Sequence, residues 1–343
     1  MVPVLKETLE SLFIAVLSAI LFTPVMINLL YKFNQVSDVK KSNIGGIKGD
    51  NNSLFMRIMR VGKTNGTPNM GGIMIWIIVP ILAYFLLPMT PTLKAFLLGF
   101  ILFGLWGLID VVVFTNGAKN NERLRTLQES FEWRLIKVII ASGISIGVMY
   151  LLYKNNLFPN LSFFKVATIT ATPAIVVITG LLCQFAVYSA EISDGLDGLL
   201  VGMFQIITAS MIVLLLIQGR YELIPLLGII LGVLIVDLYF NIPPARFWNG
   251  GPGAMPLGFS LFFVAIVTDN LIPYLLMSSV TWVIMLSSAL QILSMKLFKK
   301  RIFKIAPLHH HFQAIGWPQH KITMRFWLFT AFFSIVGIYL GLI

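Results

Sequence analysis

Carboxylates are the scarce groups in this chain. Asp and Glu number 14 among 343 residues against 25 Lys and Arg, and charged residues of both signs make up only 11%, where a soluble domain carries about 25%. That shortage excludes an ordinary water-facing surface, and with 57% hydrophobic residues it predicts an integral membrane protein. The single cysteine, Cys183, excludes an intramolecular disulfide and a cysteine-based zinc cluster; inside an apolar run it reads as a small core residue. No basic module interleaved with aromatics is present, and no soluble stretch could carry one, so nucleic acid is not expected as a partner. Internal repeats and low-complexity tracts are absent too. That argues against a repeat-built transporter, and the apolar runs offer almost no charge for a polar pathway.

What is present is hydrophobic length. Apolar runs lie at about 12–30, 71–87, 93–113, 135–152, 166–187, 199–217, 223–240, 257–267, 274–295 and 326–343, most of them near the ~20 residues a bilayer requires. The expectation is an all-α polytopic membrane protein, residues 1–343 as one domain with about ten transmembrane helices. The first run is expected to remain as a span. It is long for a signal peptide, its flank carries Glu7 and Glu10, and no small-x-small cleavage pattern follows. Ten spans put both termini on one side. The connections after spans one, three, seven and nine hold seven, five, one and seven of the basic residues, 20 of 25 in all. By the positive-inside rule those connections are cytoplasmic and both termini extracytoplasmic. The resulting basic face suits anionic lipid headgroups and anionic soluble substrates such as nucleotides.

Against this background the placement of polar groups is informative. Asp110 ends span three, Asp237 lies near the end of span seven, and Glu191, Asp194 and Asp197 crowd the turn "SAEISDGLDGLLVG". Charge near a membrane helix is costly, about 2.5–3.5 kcal/mol at its centre, so these are candidate functional groups. In the turn, Ser193 or Asp194 could simply cap span six. Three carboxylates in seven residues would also suit a divalent cation and the phosphates it bridges. Glycine-rich turns, "NGTPNMGG" and "NGGPGAMPLG", could admit a phosphate to backbone N–H groups or merely end membrane helices. Three of the four histidines, His309, His310 and His311, stand side by side after a basic run. On one helix adjacent histidines point about 100° apart, whereas in a loop two could reach one anion. With Pro307 before and Gly316 after, a break or re-entrant piece is expected.

In this order the elements resemble the phospho-N-acetylmuramoyl-pentapeptide transferase family of polyprenyl-phosphate sugar-1-phosphate transferases, nearly end to end. "GTPNMGG" (66–72) is close to the family's G-T-P-T-M-G-G, "SDGLDGL" (193–199) to T-D-G-L-D-G-L, and "NIPPA" (241–245) to N-x-x-P-A; "PLHHHFQAIGWPQHKITMRFW" (307–327) is the most specific segment. The resemblance implies a multi-pass protein of the bacterial inner membrane with its cleft on the cytoplasmic face. Its reaction would transfer phospho-N-acetylmuramoyl-pentapeptide from the UDP derivative to undecaprenyl phosphate, giving lipid I and UMP with Mg2+ as cofactor. It implies catalytic roles for Asp110, Asp194, Asp197, His309, His310 and His311, and substrate contacts from Lys63, Thr67, Asn69 and Asn241. Membrane lipids are further partners, and a homodimer is compatible with the sequence. Several positions depart from the family pattern: Val111 replaces the second Asp of a pair, Phe114 a lysine, Gly251 an aspartate expected to hold magnesium, Glu191 an asparagine, Asn69 a threonine, and Thr64 a lysine, with Lys63 adjacent. Because magnesium often needs only one or two protein carboxylates, Glu191 beside Asp194 is the expected substitute, and an aspartate restored at 251 is expected to fit the same ion. The alternative is a catalytically impaired homologue that binds lipid or nucleotide sugar.

Overall fold

In the computed structural model the described residues are 2–33, 66–116, 126, 130–163 and 167–343. They form α1 (Val2–Lys32), α2 (Ile73–Leu86), α3 (Pro91–Ile109) running into a π-helical turn (Asp110–Asn116), α4 (Phe131–Lys154), β1 (Leu161–Phe163), β2 (Ala167–Ile169), α5 (Pro173–Ser193), α6 (Leu199–Gln218), α7 (Ile224–Asn241), α8 (Gly251–Val267), α9 (Leu271–Met277), α10 (Ser279–Leu297), α11 (Leu308–Ala314) and α12 (Gln319–Leu342). The protein is an all-α polytopic membrane protein. Among the described residues eight helices are long and apolar enough to cross a membrane, while α2 and α8 are shorter apolar helices. Each of the ten apolar runs contains helix, though the fifth and the ninth do not coincide with a single one.

Two boundaries differ from the sequence reading. The fifth span does not begin at Val166: β1 and β2 pair antiparallel, Ser162 opposite Thr168, and the helix starts at Pro173, capped by Thr172, whose side chain accepts from the Ile175 N–H. Hydropathy alone could not see this, because β-branched residues of "ATIT" raise it while favouring a strand. The hairpin is tied down by the Ser162 N–H, which donates to Asp269 Oδ1 at 2.8 Å. The ninth run is likewise split, with α9 ending at Met277 and α10 starting at Ser279.

The bundle is organised around α8. Residues Gly251–Ile266 are all buried, as expected for a helix apolar on every side, and it packs chiefly on α3 and α5. Phe96, Phe103, Phe259 and Phe263 interlock between α3 and α8 with centroids 5.3–6.0 Å apart. The peripheral helices α1 and α12 instead expose large apolar side chains, among them Phe13, Leu21, Leu328 and Phe332. Such a surface would be an aggregation liability in water and is the natural one against lipid.

Candidate active site

The polar groups converge at one end of the bundle. Here three connections pack together: the segment before α2, the α5–α6 turn and the α7–α8 connection. The two glycine-rich turns, separate in sequence, are joined backbone to backbone. Gly71 and Gly72 donate to the carbonyls of Trp248 and Asn249 at 2.8 and 3.1 Å, and the Trp248 N–H donates to Pro68 O at 2.8 Å. Glycine here therefore permits close chain packing.

The α5–α6 turn is the centre of this assembly. Neither Ser193 nor Asp194 caps α6: its N-cap is Gly198, at φ 72° and with no side-chain cap. Ser193 Oγ donates back to the Ser189 carbonyl, and Asp194 Oδ2 instead accepts the Gly250 N–H at 2.7 Å. Asp197 is buried and committed on both oxygens, accepting from Ala245 N–H at 3.2 Å and from Trp248 Nε1 at 3.1 Å. Asn241 acts as a strut, its Oδ1 accepting from Gly198 N–H and its Nδ2 donating to Phe247 O. From the far side α12 clamps the turn, with Trp327 Nε1 donating to Gly198 O at 3.1 Å and Thr323 Oγ1 to Asp197 O at 3.3 Å.

Between these segments lies a cavity of ≈ 180 Å³ lined by Asn69, Val111, Asp194, Gly195, Leu196, Asp197, Trp248 and Gly250. Of the residues expected in the site, Asn69, Asp194 and Asp197 line it. Thr67 is buried nearby in sequence, and Asn241 lies behind the wall. Lys63 falls outside the described residues. Asp237 is fully buried, with its Oδ1 accepting from Asn249 Nδ2 at 3.3 Å.

Of the two arrangements left open for the histidines, helix or loop, the structure has the first: the triplet sits on the short separate helix α11, where successive side chains diverge. His309 packs against the cavity-lining turn so closely that a Cβ on Gly195 would lie 2.2 Å from its Nε2. His310 Nδ1 pairs with Gln313 Oε1 at 2.7 Å. His311 Nδ1 accepts from the Lys304 N–H at 3.1 Å. His309 thus abuts the turn and connects the triplet to the site.

Asp110 opens the π-helical turn, next to cavity-lining Val111. Its partner is Lys137 on α4, whose Nζ lies 2.7 Å from both carboxylate oxygens. Glu191, on the last turn of α5, interacts electrostatically with Lys137, Asp110 and Asp194. The structure thus gathers three of the scarce carboxylates and one lysine. Lys137 escaped the sequence reading, where it counted only toward the basic face. The available signal was a lysine among the first residues of an apolar span, where a lone charge is costly.

Gly251 is tightly packed. Its backbone rests on α3, and a Cβ there would lie 2.9 Å from both Cα and O of Gly107. The position lacks a carboxylate, and a side chain there would require α3 or α8 to shift.

Within this membrane bundle, residues 93–269 match the model of glycosyl transferase family 4. The phospho-N-acetylmuramoyl-pentapeptide-transferase of Campylobacter lari is 31% identical over 289 residues, covering 79% of this chain and 80% of the relative. The proteins of that name from Acetivibrio thermocellus, 30% identical over 81% of this chain and 82% of the relative, and Caldicellulosiruptor bescii, 29% over 80% and 83%, are similar along the same extent. The chain belongs to the phospho-N-acetylmuramoyl-pentapeptide-transferase family, whose members are phosphoglycosyl transferases.

Proposed function

We propose that the protein transfers phospho-N-acetylmuramoyl-pentapeptide from its UDP derivative to undecaprenyl phosphate in the bacterial inner membrane, producing lipid I and UMP for peptidoglycan synthesis. The observation that carries this reading is the convergence of Asn69, Asp194, Asp197 and Trp248 on one cavity, with Asp110 beside it, at an end of a membrane bundle where a lipid-borne phosphate and a soluble nucleotide could meet.

The donor set suits magnesium of one kind. Among the described residues no three His, Cys, Asp or Glu side chains form a metal cage. Magnesium bound to substrate phosphates needs only one or two carboxylates and takes its other ligands from phosphate and water. Asp194, at the cavity wall, would hold it, with Glu191 as the neighbouring carboxylate. When bound, the ion offsets the charge of two phosphates brought together. The chain's own residues do the positioning: the Gly250 N–H fixes the Asp194 carboxylate, and the Trp248 indole and Ala245 N–H lock Asp197. His309 backs the turn that carries both.

The direct test is release of UMP from UDP-N-acetylmuramoyl-pentapeptide by purified protein with polyprenyl phosphate. Release should require magnesium and stop on chelation with EDTA. If both substrates bind but no UMP is released, the protein is a binding homologue instead.

The same reading places the cavity in the cytoplasm. A cysteine replacing exposed His320, at the start of α12, should react with a membrane-impermeant maleimide only from the cytoplasmic side. One replacing Met89, between α2 and α3, should react only from outside. The native Cys183 is buried and should stay silent. Reversed labelling would remove the cavity from any cytosolic nucleotide.

A further inference from the structure

The Asp110–Lys137 pair is the feature of the site that architecture alone does not explain. A partly buried ion pair contributes little net stability, since desolvating both charges offsets most of their attraction. Yet this one has close geometry, 2.7 Å from Nζ to each carboxylate oxygen, with side-chain exposures of 22% for Lys137 and 9% for Asp110. The ammonium is therefore still reachable. Asp110 is the chain neighbour of Val111, which lines the cavity, so the pair lies directly behind the lining rather than in it.

The electrostatic setting gives the lysine a task. Glu191 interacts with Asp110, Asp194 and Lys137 together. Three carboxylates and one ammonium leave a formal excess of negative charge where an anionic phosphate would have to enter. A phosphate approaching this wall would be repelled unless a cation faced it. Lys137 is the cation in that group. An ammonium has three donors on a flexible stem. Asp110 occupies two carboxylate-directed positions, so the group can turn a donor toward a phosphate oxygen while keeping Asp110 as its counter-ion.

Resting on the function proposed above, we infer that Lys137 is a phosphate-binding residue of the site, with Asp110 as the positioning residue that holds its ammonium directly behind the cavity lining. The ligand chemistry is a phosphate oxyanion, supplied either by the lipid monophosphate or by the nucleotide-sugar diphosphate.

Equilibrium binding to purified protein tests this without requiring turnover. The probes are polyprenyl phosphate, UDP-N-acetylmuramoyl-pentapeptide and inorganic diphosphate, with polyprenol and uridine as phosphate-free controls. Lys137→Gln should weaken one phosphorylated probe by about 10-fold or more and leave its phosphate-free counterpart unchanged. Loss on polyprenyl phosphate alone assigns the lipid; loss on the UDP-sugar and diphosphate assigns the nucleotide. Lys137→Arg, which keeps the charge, should recover most of the affinity. The double variant Lys137→Gln, Asp110→Asn removes both charges of the pair and should regain part of the thermal stability lost in Lys137→Gln while still failing to bind the phosphate. Equal losses on probes and controls, unchanged affinity for all phosphates, or wild-type protein that binds none of them would each overturn the assignment. Lys137-dependent binding without UMP release would instead sustain it and reject the transferase reading.

Discussion

Asp194→Asn is expected to reduce UMP release by ~100-fold or more while leaving thermal stability nearly unchanged. The two halves of that expectation come from different atoms. An asparagine Oδ1 can still accept the Gly250 N–H that now reaches Asp194 Oδ2 at 2.7 Å, so the junction between the α5–α6 turn and the α7–α8 connection survives. What disappears is the negative charge at the cavity wall. Losing a charged group that stabilises a transition state in a site shielded from water forfeits several kcal/mol, and each 1.36 kcal/mol is a factor of ten in rate. Rate measured against magnesium concentration separates the contributions. A raised magnesium requirement assigns the charge to the ion. Full turnover at unchanged magnesium would show that Asp194 is only a structural link.

The second large effect is expected at Gly251. Gly251→Asp should fail to raise activity and should lower the midpoint of thermal unfolding in detergent by ~2–4 °C, as overpacking a close contact typically costs about 1–3 kcal/mol. The added Cβ meets the Gly107 backbone at 2.9 Å. Backbone on both sides cannot rotate away as a side chain would, so α3 and α8 must separate. Gly251→Ala isolates the steric part and should be nearly as damaging; any further loss in the aspartate variant is the cost of burying a carboxylate. A stable Gly251→Asp protein with faster UMP release would mean that the helices part easily and that this position can serve the ion after all.

Hydropathy made the membrane bundle legible, because a bilayer demands long apolar runs and every one of the ten contains helix. It misplaced the start of α5, since the strand residues of the β-hairpin are as apolar as a span. Motif spacing located the turn carrying Asp194 and Asp197 and the glycine-rich segments, but not their relationship. Nothing in "NGTPNMGG" or "NGGPGA" announces that Gly72 bonds to Asn249, because glycine's lack of a side chain is the same whether it admits a phosphate or another chain. The histidine triplet was conspicuous, while its divergence on α11 required knowing the local backbone. Lys137 was hidden for the opposite reason: it is a single residue whose meaning depends on Asp110, 27 positions away.

The clamp that α12 places on the α5–α6 turn has a consequence for how the protein is made. The turn is synthesised early, but its carbonyls at Asp197 and Gly198 receive their donors from Thr323 and Trp327, 126 and 129 residues later. Asp194 and Asp197 wait for the stretch Ala245–Gly250. Helices inserted one after another as they leave the ribosome would therefore leave this turn only partly braced, from residues 241–250, until α12 arrives. A nascent chain halted before that point would contain both aspartates without the full set of bonds that aims them. The bundle can thus grow in order from its first helix, whereas the site is completed only when α12 docks.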